Sequence, residues 1–300
     1  MLIKIMDNKH YEIKNSHNRD KFIFFDEESH TYKITFCSVL TAPLKASQQQ
    51  GNENEDHDCV GISGNQDFSS IDGEIYSSVT TIIHKYFPKF ESGKIINKMM
   101  SSSSWKRSPY YGKTKEQIEK EWEQNRSEAA SLGTKIHNWI ENFYLSGNIC
   151  PSEEASQSKS FQNFLEFHET YGWKPYRTEW RVYSEICKIA GSIDIVFEGS
   201  SAGKVKIFDW KNSKEIKQEN KYEKGFPPLD HIPNCNFYHY SLQLNLYKWI
   251  IEKHYDLVVE EMGLIIVHQN FPTFLKYEVK DMKKETQDLI DHYTFTICNQ

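Results

Sequence analysis

The sequence predicts an α/β fold in which a central mixed β-sheet is flanked by helices. Three observations predict it. Helical periodicity dominates residues 78–171; beyond Gly172 the pattern turns extended over residues 174–183, 188–198 and 204–210; and a long helix over 237–255 then precedes two further strands, 263–268 and 275–279, and a last helix near 283–293. Helices before and after a block of strands place the sheet between helical layers.

Taken in order, residues 21–26 and 31–36 are short aromatic and β-branched runs around Glu27-Glu28-Ser29-His30, the pattern of an N-terminal β-hairpin. Residues 46–72 are rich in Gln, Asn, Gly, Ser and acid with little to bury, which predicts a disordered surface insertion. Two short helices follow at 78–87 and 92–100, separated at Pro88 because the residue before proline disfavours helical backbone. Thr114 with Gln117 three positions on is a capping-box start for a charged helix over 115–130. Gly133 predicts a break. The next helix, 134–145, carries Ile136, Ile140, Phe143 and Tyr144 on one face, and another over 157–171 carries Phe161, Phe164, Leu165 and Phe167. The 237–255 helix reads as strongly amphipathic. The organisation is a hairpin extension (1–45), a disordered acidic insertion (46–73) and one catalytic domain (74–300).

The chain has 300 residues with 38% hydrophobic content, enough for a full core. Its 36 basic and 42 acidic side chains give a net charge of −6, which argues against a protein that simply coats nucleic acid. The charge is uneven. Residues 46–84 hold seven acids and no Lys or Arg, so the rest of the chain sums to +1 and has room for a basic groove. The six cysteines are scattered without C-x-x-C pairs, so zinc or iron–sulfur ligation is not expected. The N-terminus mixes acids with bases and lacks an apolar segment, and no run of about 18 apolar residues exists to span a membrane. These features predict a soluble intracellular monomer, nuclear or cytoplasmic, with no membrane partner.

The chemistry is concentrated in two strands. In Gly191-Ser-Ile-Asp194-Ile-Val-Phe, alternation puts Asp194 on the face opposite Ile193, Ile195 and Phe197. In Val205-Lys-Ile-Phe-Asp209-Trp-Lys211, period two sets Asp209 and Lys211 side by side with Trp210 turned away. Two carboxylates aimed at one spot repel unless a cation sits between them, and hard oxygen ligands select Mg2+ or Mn2+ over zinc. Lys211 would orient or deprotonate an attacking water, or stabilise charge on a phosphoryl group.

Four elements in order carry a resemblance: Gly133-Thr-Lys-Ile-His137 on a helix, Gly191-Ser-Ile-Asp194 and Asp209-Trp-Lys211 on strands, and Gln243-Leu-Asn-Leu-Tyr247 on a later helix. In this the chain resembles the RecB-like branch of the PD-(D/E)XK nucleases over residues 75–280. The resemblance implies a restriction-endonuclease-like core, with His137, Asp194, Asp209 and the backbone carbonyl of Trp210 holding Mg2+ or Mn2+ and Lys211 as the catalytic lysine. Glu179 is a further catalytic candidate, or else a partner for Arg177 or Arg181. Gln243, Tyr247, Thr134, Lys214 and Arg177 are candidates for supporting the site or touching nucleic acid; Tyr247 reads equally well as core. Iron–sulfur members place a cysteine cluster near the C-terminus, and here only Cys298 is present, so the resemblance is to the cluster-free type, such as the mitochondrial genome maintenance exonuclease and its relatives in large DNA viruses. The threonine common after the catalytic lysine is replaced by Asn212-Ser213.

The implied function is a metal-dependent exodeoxyribonuclease trimming DNA ends or single-stranded flaps in replication, repair or recombination, with proteins of those processes as partners. Two alternatives stand beside it: an endonuclease acting on DNA or RNA, and a catalytically silent nucleic-acid-binding module. Interleaved aromatic and basic residues at 105–113 and 173–177 are candidate strand contacts, and the polar segment 212–236 is a candidate gate to the cleft.

Overall fold

The structure is a computed structural model that describes residues 12, 14–35, 69 and 71–299. Most of the predicted disordered insertion therefore lies outside the described residues. The hairpin forms as expected: β1 (Ile23–Asp26) pairs antiparallel with β2 (Thr31–Ile34), with Phe25 opposite Tyr32. Strand β3 (Glu74–Ser78), which has no alternation to announce it, pairs antiparallel with β2 and parallel with Ile189 and Ala190, and so joins the hairpin to the main sheet. Ser78 ends β3 and caps α1 (Val79–Lys85), its hydroxyl accepting from the Thr81 N–H at 3.0 Å.

Helices α2 (Ser92–Met100), α3 (Lys115–Leu145), α4 (Glu153–Gln157) and α5 (Lys159–Tyr171) follow. Both bonds of the Thr114–Gln117 capping box are present at the start of α3. The expected break at Gly133 does not occur; α3 runs unbroken for 31 residues. A lone glycine costs a helix only about 1 kcal/mol, and burial of Ile136, Ile140, Phe143 and Tyr144 on the far side outweighs it.

The remaining strands are β4 (Pro175–Ser184), β5 (Ile189–Glu198), β6 (Lys204–Lys211), β7 (Val258–Ile266) and β8 (Leu275–Glu278), with α6 (Asn236–His254) between β6 and β7 and α7 (Lys283–Cys298) at the end. The sheet is mixed: β4–β5, β5–β6 and β7–β8 are antiparallel, β6–β7 parallel. A parallel neighbour requires a crossover, which α6 provides. One helical layer holds α1, α6 and α7 against Ile193, Val196, Ile207 and Leu264; the other holds α3 and α5 against Ile195, Phe197, Phe208 and Trp210.

Helix α6 is not the strongly amphipathic helix its sequence suggested. Seven successive residues, Ser241 to Tyr247, are buried, because α6 is covered by other helices on one side and the sheet on the other. Its polar residues have partners: Asn245 donates to the carbonyls of Ser241 and Lys280 and accepts from the Met282 N–H.

Strand β5 departs from simple alternation where the site lies. One edge pairs with β4 throughout; the other pairs with β3 at Ile189 and Ala190 and with β6 from Ile195 onward. Between these two partners, Ile193 packs with the α6 layer and Ile195 and Phe197 with the α3 layer. Asp194 thus sits where the strand exchanges faces, not opposite all three apolar neighbours.

Candidate metal centre

Asp194 stands in the gap between β3 and β6. Its Oδ2 accepts the Trp210 N–H at 2.9 Å, occupying a donor that has no strand partner there. On β4, Thr178 pairs with Ile195 and Trp180 with Ile193, which sets Glu179 opposite Asp194. Side chains directly opposite on an antiparallel pair share a face, about 5 Å apart. His137 reaches the same point from α3. Its Nδ1 lies 3.6 Å from Asp194 Oδ2 and 4.0 Å from Glu179 Oε1. One donor atom from each of His137, Glu179 and Asp194 falls within 4.8 Å of the others.

The Trp210 carbonyl, expected to ligate a metal, is instead 2.9 Å from His137 Nε2. With Nε2–H donating to that carbonyl, the ring presents the lone pair of Nδ1 to the two carboxylates, and a backbone carbonyl orienting a ligand histidine in this way is a recurrent arrangement. The Glu179 carboxyl is pushed up to about 8, by burial first and by the neighbouring Asp194 second; the Ser192 hydroxyl donating to Oε2 at 3.0 Å works the other way. Glu141, one turn past His137 on α3, adds to the rise.

Asp209 and Lys211 form a second unit behind this one. Asp209 is 2% exposed, and its Oδ2 lies 2.5 Å from Lys211 Nζ. Burial pushes Asp209 up to about 6 and the Lys211 ammonium opposes that shift. For Lys211, burial works against the charge, but Asp209 and then Asp194 outweigh it and raise its pKa, so the ammonium persists. Gln243 Nε2 is 3.4 Å from Asp209 Oδ1, a long contact. The Lys211 ammonium also lies 4.8 Å from the centre of the Tyr240 ring, a neighbour no motif identified. Asp209, expected as a ligand beside Asp194, is thus paired with lysine, and Glu179 completes the three-donor group.

Tyr247 is 4% exposed and belongs to the core, yet its ring edge lies against Gly191, where a Cβ would come within 2.6 Å of Cε1 and 2.8 Å of the hydroxyl oxygen. Glycine at 191 is therefore a requirement of close approach. Three expected contacts are not brought into the centre. Arg177 is held by Glu12 and Asp20, at 2.6 and 2.7 Å. Thr134 is exposed one turn before His137, and Lys214 is exposed near His268.

No helix among the described residues is long and apolar enough to cross a membrane. No protein-family model matches the chain, and no curated protein matches it. Among solved structures, one described as the crystal structure of SSO0001 is similar over 77% of this chain and 80% of its own, at 15% identity and a TM-score of 0.34. That level of similarity carries no functional argument.

Proposed function

We propose that this chain is a PD-(D/E)XK-type nuclease that hydrolyses DNA phosphodiester bonds with Mg2+ or Mn2+ held by His137, Glu179 and Asp194. The observation that carries the reading is the convergence of one imidazole nitrogen and two carboxylates within 4.8 Å, next to a half-buried lysine. A bound hard divalent ion supplies a Lewis acid and a water of lowered pKa. The donor set suits such an ion, because Glu179 and Asp194 face each other with no ammonium or guanidinium between them, so the pair carries both negative charges at neutral pH only when a cation joins it.

The chain's own groups do the rest. Trp210 fixes both ligands at once, its N–H holding Asp194 and its carbonyl holding His137. Lys211 keeps its proton, so it serves as a fixed positive charge against the developing phosphoryl oxyanion and not as the base. Asp209 holds that ammonium in place.

A groove of about 1440 Å3 between the residues linking α1 to α2 and the segment before α6 is the candidate path for the strand. It is lined by Phe90, Tyr222, Phe226, Lys89 and Lys221, and by His239, one turn before Gln243 on α6. Exposed rings and ammonium groups together hold single strands by stacking and phosphate neutralisation. Tyr222 is 97% exposed, and Tyr222→Ala is expected to weaken single-strand binding by roughly 1–3 kcal/mol, read by fluorescence anisotropy in EDTA.

The deciding experiment is cleavage of end-labelled linear single-stranded DNA, duplex DNA, RNA and closed circular single strands with Mg2+, Mn2+ or EDTA, beside Asp194→Ala and Lys211→Ala. Metal-dependent loss of linear DNA that both variants lack supports the exonuclease. Cutting of circles moves the reading to an endonuclease. Binding without cleavage of any substrate sinks the enzymatic reading.

A further inference from the structure

The backbone at Glu179 is left-handed, with φ of 44°. Glutamate has a Cβ that crowds the carbonyl in this region, so the conformation persists only where surrounding contacts impose it. Those contacts are present on both sides of Glu179 and come from one place, the segment preceding β1. Glu12 Oε1 accepts from the Thr178 N–H at 2.7 Å and from its hydroxyl at 2.9 Å. Glu12 Oε2 lies 2.6 Å from Arg177 Nε. Asp20 takes Arg177 Nη1 at 2.7 Å through Oδ2 and the Trp180 indole N–H at 3.0 Å through Oδ1. The Asn15 side chain donates to the Tyr176 carbonyl at 3.0 Å, and the Asn15 carbonyl accepts from Arg177. Residues 176, 177, 178 and 180 are thus all tied to residues 12–20, and Glu179 is left as the one position in the run with its side chain turned to His137 and Asp194.

We infer that Glu12 and Asp20 are positioning residues for the metal centre: they clamp β4 on either side of Glu179 and hold the strained turn that aims its carboxylate at the ion. The inference rests on the metal-centre reading above and extends it to the N-terminal segment, which otherwise has no role in the site. Arg177 then has a reason for its place. It is the bridge through which both acids grip the strand, not a phosphate contact.

The clamp is separable from simple structural support. Isothermal titration of Mn2+ into the full-length protein is compared among wild type, Glu12→Ala, Asp20→Ala, Glu12→Gln and Asp194→Asn, with urea denaturation in EDTA alongside. Loss of an outer group that orients a ligand typically weakens metal binding about 10- to 100-fold; Glu12→Ala and Asp20→Ala are expected in that range while still folded. Glu12→Gln keeps an oxygen for the Thr178 N–H and is expected to recover most of the affinity. Wild-type affinity in both alanine variants, with Asp194→Asn defective, would overturn the clamp and leave the metal centre standing. If the wild type binds no Mn2+, the metal reading fails, and crystal structures of wild type and Glu12→Ala decide the clamp by themselves. A Glu179 φ that relaxes to negative values in the variant supports it, and an unchanged φ sinks it.

Discussion

Glu179 and Asp209 are neighbouring carboxyls, and burial raises both, yet their surroundings are opposite. Asp209 carries its own counter-charge, the Lys211 ammonium at 2.5 Å, and is sealed from water. Glu179 faces a second carboxylate and an imidazole, keeps 35% of its side chain exposed, and has no Lys or Arg in ion-pair range among the described residues. One unit holds its own counter-charge within the fold; in the reading proposed above, the other gains one only when a cation binds. Two side-chain carboxyls are thus set apart by neighbouring charge, an ammonium beside Asp209 and a second carboxylate beside Glu179.

The largest expected effects break that pairing in opposite directions. Lys211→Met strands a buried carboxylate and is expected to cost about 3–5 kcal/mol of stability while leaving Mn2+ affinity within a few-fold, as read by urea denaturation and calorimetry. Glu179→Gln puts a neutral amide where burial and Asp194 already favour the neutral carboxyl, so it is expected to leave metal-free stability near pH 7 unchanged or higher while weakening Mn2+ binding by about 100-fold. If Lys211→Met abolished Mn2+ binding and Glu179→Gln did not, Asp209 and not Glu179 would belong to the ligand set.

A smaller effect is expected on pH dependence. The folded carboxyl of Glu179 is raised from 4.5 to about 8 and that of Asp209 from 3.8 to about 6. In each case the folded chain binds more protons than the unfolded one above the unfolded pKa, so stability falls as pH rises through the window and is fully present below it. Metal-free protein is expected to lose urea resistance steadily from pH 4.5 to 8. Glu179→Gln flattens the upper half of that slope, and saturating Mg2+ does the same by favouring the ionised carboxylate. An equal slope in Glu179→Gln would mean that Glu179 is already ionised in the fold.

How much of this was legible in the sequence differs between the two units. The Asp209–Lys211 pair follows from period two along a single strand, and the strand ends of β4, β5 and β6 fall within a residue of the extended pattern. Asp194 and His137 were legible through spacing and order. Glu179 was not separable from a partner of Arg177 or Arg181, because its assignment depends on the β4–β5 register and on a backbone twist imposed from residues 12–20, some 160 positions away. The contact of the Trp210 carbonyl with His137 was not legible for a related reason: which atom it meets is set by the packing of α3 on the sheet, and no local pattern encodes that.

The smallest effects test the framework that brings the ligands together. Gly191→Ala drives a methyl group into the Tyr247 ring at 2.6 Å. Both are buried between β5 and α6, so the expected loss is about 1–3 kcal/mol, with Mn2+ binding weakened because Asp194 follows three residues later. At Gly133, one turn before His137, a Cβ meets nothing within 4 Å, and the residue lies inside a continuous helix. Gly133→Ala is expected to stabilise the fold by about 0.5–1 kcal/mol by removing unfolded-chain entropy. Because α3 delivers His137 as part of a rigid rod, the same change is expected to leave Mn2+ affinity unaltered. A loss of stability, or of affinity, would mean that α3 bends at Gly133 after all, and that the histidine reaches the two carboxylates through a hinge.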